Sequence, residues 1–186
     1  MSYRQYWDNI YKGNDKVNSD IYSYWNHYSD MGNWQFWFAV ALLVVPIIIL
    51  FFTIDRRRLF ELLFFGYTVH MMWTYTDLPL QRHNFFVHTY FITPVLPYAL
   101  NLTAAALPVV FILTYQYCTN RNKNFYLYTI LVSAIFTFGF GTFEKYIGVA
   151  EFRKGMNQFW LFLIDLVIVF VSYWFTKILL KWRRNL

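Results

Sequence analysis

The stretch from Trp34 to Ile54 holds 21 residues without one charged side chain. About 20 mainly apolar residues in a helix cross the ~30 Å hydrocarbon layer of a bilayer, so this stretch alone restricts what the chain can become. Four more follow. Leu59 to Asp77 is nearly as long and carries Glu61 and His70. Asn101 to Cys118 spans 18 residues. Phe125 to about Glu144 and Gln158 to Leu180 complete the set, the last with Asp165 inside it. No signal-peptide pattern precedes the first stretch, which reads as an uncleaved anchor.

Composition supports the same class. Charged residues make up 14% of the chain and aromatic residues 24%. Soluble domains carry roughly a quarter charged residues. A lone cysteine excludes a disulfide framework and a cysteine-based zinc site. The expectation is an all-α integral membrane bundle of five transmembrane helices over 34–186, preceded by an aromatic-rich interfacial tail over 1–33.

Segment 85–98 is apolar but only 14 residues long. Pro94 and Pro97 bias their preceding residues toward extended backbone, so the segment is expected to re-enter or to lie at the interface. Counting Lys and Arg agrees. With five spans and the amino terminus outside, nine basic residues fall in short inner segments and seven in longer outer ones. A full crossing by 85–98 leaves six inside and ten outside. The positive-inside rule favours the first arrangement, with the carboxyl terminus inside the cytoplasmic membrane. The net charge of +6 is then an orientation signal. It is not a nucleic-acid footprint, because no loop is long enough to build a basic face.

In the tail, Tyr3, Tyr6, Trp7, Ile10 and Tyr11 recur at amphipathic helical spacing, as do Ile21, Tyr24, Trp25 and Tyr28. Gly13-Asn14 separates the two stretches, so two short surface helices are expected.

Ionisable groups at membrane depth face the protein interior. Gly66, His70, Thr74 and Asp77 share a face of the second helix. Ser133, Thr137, Gly141 and Glu144 form a stripe on the fourth, and Gln158, Asp165, Ser172 and Thr176 one on the fifth. Asp165, His70, Asp77 and Glu144 are therefore the candidates for ligand binding or a proton relay, converging beneath 85–98. Structural roles compete with this reading: Asp77 and Glu144 can pair with Arg82 and Lys145, and Asp165 can bond a Thr or Tyr. Glu61 sits one turn from Arg57 and Arg58, at ion-pair spacing. No phosphate loop, HExxH or nucleophile elbow occurs. No catalytic residue, metal site or cofactor is expected.

The basic turn Asp55-Arg56-Arg57-Arg58-Leu59, Glu61, Phe65-Gly66, Asp77, the Pro94 to Pro97 segment, Leu107-Pro108 and Tyr115-Gln116-Tyr117 give the chain a resemblance. Over roughly residues 34–180 it resembles a family of small uncharacterised multi-pass membrane proteins of spore-forming Gram-positive bacteria. The resemblance implies a cytoplasmic-membrane location and no activity. The functional expectation is a non-enzymatic sensor or accessory subunit with an outward-facing polar pocket for a lipid or small amphiphile. The alternatives are a small ion- or proton-coupled transporter or channel subunit, and a membrane enzyme acting on lipid. Partners would be membrane lipid, a second copy or another membrane protein.

Overall fold

The computed structural model describes residues 1–184, so Asn185 and Leu186 lie outside the described residues. Helix α1 (Tyr3–Tyr24) runs into a π-helical turn at Trp25–Ser29. Next come α2 (Trp34–Thr53), a 3-10 turn at Arg56–Arg58 and α3 (Leu59–Arg82). Strand β1 (Phe86–His88) follows. A π-helical turn at Leu102–Ala106 then leads into α4 (Leu107–Asn120). Helix α5 (Phe125–Ala134) continues through a π-helical turn at Ile135–Phe140 into α6 (Gly141–Tyr146). Strand β2 (Ala150–Phe152) and α7 (Gln158–Arg184) complete the chain.

Four helical stretches are long and apolar enough to cross a membrane: Trp34–Thr53, Leu102–Asn120, Phe125–Tyr146 and Gln158–Arg183. Helix α3, at 24 residues, is long enough but more polar. It forms the centre of the bundle, burying Leu62, Phe65, Gly66, Val69, Trp73 and Asp77 against α4 and α7. Helix α2 is peripheral. It buries only Phe36 and Ala39 and leaves Ile47, Ile48, Phe51 and Phe52 half exposed or more.

The bundle has two differently built ends. At the basic end the connections are tight. The Asp55 side chain caps the turn by accepting from the Arg57 amide at 3.0 Å. Gln116 on α4 clamps the α2–α3 link, accepting from the Asp55 amide at 2.8 Å and donating to the Thr53 carbonyl at 2.9 Å. Arg58 meets Glu61 through two N–H···O bonds of 3.0 and 2.5 Å. Arg58 also donates to Thr119 and Asn120 on α4, and the Tyr115 hydroxyl donates to Glu61 at 2.5 Å. Glu61 is thus a bridge between α3 and α4, and its ion pair is the one expected from spacing.

At the other end the two longer connections join each other. Strands β1 and β2 pair antiparallel, with Phe86 opposite Phe152 and His88 opposite Ala150. Thr89 extends the clasp, donating from its amide to the Val149 carbonyl and from its hydroxyl to the Gly148 carbonyl. Segment 85–98 therefore begins as a strand and goes on in turns, with no helix. Its pairing with 150–152 puts the α3–α4 and α6–α7 connections at one end of the bundle. The fold is all-α as expected, with two three-residue strands among the described residues as its one small sheet.

The amino-terminal tail also differs from expectation. Residues 3–24 form one helix, which passes through Gly13 without a break. A glycine inside a helix costs about 1 kcal/mol. The helix offsets this with a capping box at its start, where Ser2 and Gln5 satisfy each other's amides.

Gly66 sets the closest approach of α3 to α4. A Cβ there would lie 2.2 Å from Ile112 Cδ1 and 2.6 Å from Ile112 Cγ1, inside any permitted contact. Gly66→Ala should therefore destabilise the detergent-solubilised protein by about 1–3 kcal/mol. Adding Ile112→Ala should recover part of that loss, as read by thermal unfolding of the single and double variants.

Candidate functional site

Asp165 on α7 is buried, 2% exposed. Its Oδ1 accepts from the Trp73 indole N–H at 2.9 Å. Trp73 lies one helical turn before Asp77, so both point from the same buried face of α3. Asp77 is also 2% exposed and accepts from the Gln81 amide one turn later. Neither aspartate meets a basic partner among the described residues.

Glu144 reaches the same place because of the wide turn in its helix. Residues spaced by four drift about 40° per step around a 3.6-residue helix. The π-helical turn at Ile135–Phe140 takes up that drift. Ser133, Thr137, Gly141 and Glu144 consequently stay on one buried line. Glu144 is 3% exposed and does not pair with Lys145.

These groups surround a cavity of about 50 Å³, lined by Trp73, Asp77, His88, Thr137, Glu144 and Asp165 together with apolar residues. A water molecule occupies about 30 Å³ of liquid, so the space suits one or two water-sized species. Asp165 Oδ2, Glu144 Oε1 and His88 Nε2 have no hydrogen-bond partner among the described residues. No lysine or arginine is among the described residues lining the cavity. Buried polar atoms are normally paired, so three unpaired atoms around one hollow single it out as the candidate site. Among the described residues no three His, Cys, Asp or Glu side chains converge closely enough to hold a metal ion.

Of the four candidates from sequence, Asp77, Glu144 and Asp165 meet at this cavity. His70 does not. It lies seven residues before Asp77, roughly 10 Å along the helix toward the basic end. There its Nδ1 sits 2.8 Å from the Thr103 carbonyl. A carbonyl only accepts, so that nitrogen carries the proton. His70 lines a different groove, about 290 Å³ in volume, with Leu50, Gly66 and Pro108.

Two site residues escaped the sequence reading. Trp73 carried a usable signal, an indole donor one turn from a buried carboxylate. His88 carried none, because its position depends on the pairing of β1 with β2. It is buried at 3% exposure, with its ring edge-on to Phe86 at 4.7 Å. It also lines both the cavity and an open groove at the strand end of the bundle. His88 thus stands between the carboxyl groups and the surface.

No protein-family model, curated protein or solved structure matches this chain. The geometry of the site carries the functional reading by itself.

Burial lowers the His88 pKa from the ordinary 6.5 to about 4. The neutral ring is favoured in the folded chain, and the unfolded chain binds the extra proton. Folding stability should fall as pH drops from about 6.5 toward 4, by up to about 1.4 kcal/mol per pH unit. His88→Gln should flatten that part of the profile, as read by chemical denaturation across the pH range.

Proposed function

We propose that the chain is an integral membrane protein that crosses the bilayer five times and exchanges protons at the carboxyl cavity with its outer side. In this reading it is a non-enzymatic sensor or accessory subunit of the cytoplasmic membrane, with the amino terminus outside and the carboxyl terminus inside. The observation that carries it is the meeting of Asp77, Glu144 and Asp165 at one small cavity that no lysine or arginine among the described residues lines.

The membrane setting is supported by four apolar helices of spanning length and by the exposed apolar side chains of α2, a surface that lipid covers and water does not. The fifth crossing is α3, in the middle of the bundle. The orientation is supported by Arg56, Arg57, Arg58, Arg121 and Lys123, which sit in the two tight connections of the basic end.

The size of the cavity favours a small occupant. Sites for small organic ligands measure about 300–1,000 Å³, so about 50 Å³ does not hold the body of a lipid or amphiphile. Its volume suits water and protons. Carboxyl groups at membrane depth serve proton relays, and His88 supplies the link toward the outer groove. The basic end is knitted by Arg58, Glu61, Tyr115 and Gln116, which favours exchange with one side over passage through the bundle.

Infrared difference spectra between acidic and alkaline buffer test this reading. Carboxylic-acid C=O bands should respond to pH, and Asp77→Asn, Glu144→Gln and Asp165→Asn should each remove one component. Bands that survive all three substitutions unchanged contradict the proposal. Proton flux in proteoliposomes that Asp165→Asn abolishes would replace one-sided exchange with the transporter alternative.

A further inference from the structure

Beyond His88 lies an open groove of about 540 Å³. Distant parts of the chain build it. Helix α1 contributes Asp20 and Tyr24, the turns after β1 contribute Phe91 and Tyr98, and β2 contributes Glu151. Three of these residues stack in series. The Phe91 and Tyr98 rings lie 4.2 Å apart at 16°, and Tyr24 and Phe91 lie 6.3 Å apart at 23°.

The wall is anchored. The Phe91 carbonyl accepts from the Trp25 indole at 3.1 Å and from the Ser29 hydroxyl at 3.0 Å. The Phe91 amide donates back to Ser29 Oγ at 2.9 Å. Phe91 is the buried member of the stack, so Tyr24 and Tyr98 present the more accessible rings. Asp20 and Glu151 are exposed, and no lysine or arginine is among the described residues lining the groove. Burial, with a smaller contribution from the nearby Glu151 carboxylate, holds the Tyr24 phenol above its ordinary value.

We infer that this groove binds a small lipophilic ammonium compound, its cation against the rings of Tyr24 and Tyr98 and within the field of Asp20 and Glu151. Aromatic faces carry negative quadrupole charge and attract a weakly hydrated alkylammonium. The two carboxylates add opposite charge and repel anions. A phospholipid headgroup fits less well, because its phosphate finds no lysine or arginine among the lining residues. The volume falls within the range of small-molecule sites, unlike that of the inner cavity. The inference does not depend on proton exchange at the carboxyl cavity, although His88 is a wall common to both.

Calorimetric titration of the full chain in a neutral maltoside detergent tests it, with benzyltrimethylammonium as the probe. The control is the neutral compound in which carbon replaces the nitrogen. The ammonium should bind about tenfold more tightly than the neutral isostere. Asp20→Asn combined with Glu151→Gln, both at exposed positions, should weaken the ammonium roughly tenfold and leave the isostere unaffected. Tyr98→Leu should weaken the ammonium as well. Equal binding of the two compounds, an unaltered affinity in the Asp20→Asn/Glu151→Gln variant, or no ammonium binding overturns the inference. Blockage of the probe by added phosphatidylcholine overturns it too, because the occupant is then a lipid headgroup.

Discussion

The hydrogen bond from the Trp73 indole to Asp165 joins the two helices on which the site depends. A polar group buried without a partner costs about 1–3 kcal/mol on the scale of protein mutational data. Asp165 escapes half of that cost through one donor from α3. The bond holds α7 against α3 at the depth of the cavity, on the face that also carries Asp77. The rest follows from the same need. Asp77 finds Gln81 on its own helix, and Glu144 enters through a helix whose wide turn keeps a four-residue stripe facing inward. What remains unpaired, one oxygen each on Asp165 and Glu144 and one nitrogen on His88, is the chemistry left for function.

The two ends of the bundle complement each other. The basic end is closed by short turns and by the network of Arg58, Glu61, Tyr115 and Gln116. The strand end is closed by a clasp between two connections, built from six residues of backbone pairing. A short two-stranded ribbon is marginal on its own. Here it rests on the core, with Phe86 and Ala150 buried and Phe86 stacked on Phe152 at 4.9 Å. The clasp fixes His88 as the wall between a small cavity edged by carboxyl groups and a large aromatic groove. One bundle therefore presents two hollows that suit different occupants, a water-sized one inside and an organic-molecule-sized one outside.

Much of this was legible in the sequence. Uncharged stretches of spanning length located the long helices. Helical spacing placed Asp77, Glu144 and Asp165 on inward faces, because a costly side chain at a known depth has few places to go. Charge spacing paired Arg58 with Glu61. Most of what was not legible depended on a contact between segments far apart in the chain. Residues 86–88 form a strand only because 150–152 lies beside them, and His88 lines the cavity only through that pairing. His70 shares a face with Asp77, but two helical turns of depth separate them, and its Nδ1 hydrogen-bonds the Thr103 carbonyl on a neighbouring segment. Gly13 does not break α1, because local capping outweighs the cost of one glycine.

The central claim is that Asp77, Glu144 and Asp165 act as one site. Double-mutant cycles among Asp77→Asn, Glu144→Gln and Asp165→Asn, measured by unfolding free energy of the purified protein, test it most directly. Groups around one cavity should couple by about 0.5–3 kcal/mol in each pair. Pairs that add to within about 0.3–0.5 kcal/mol would show three independent carboxyls and contradict the account.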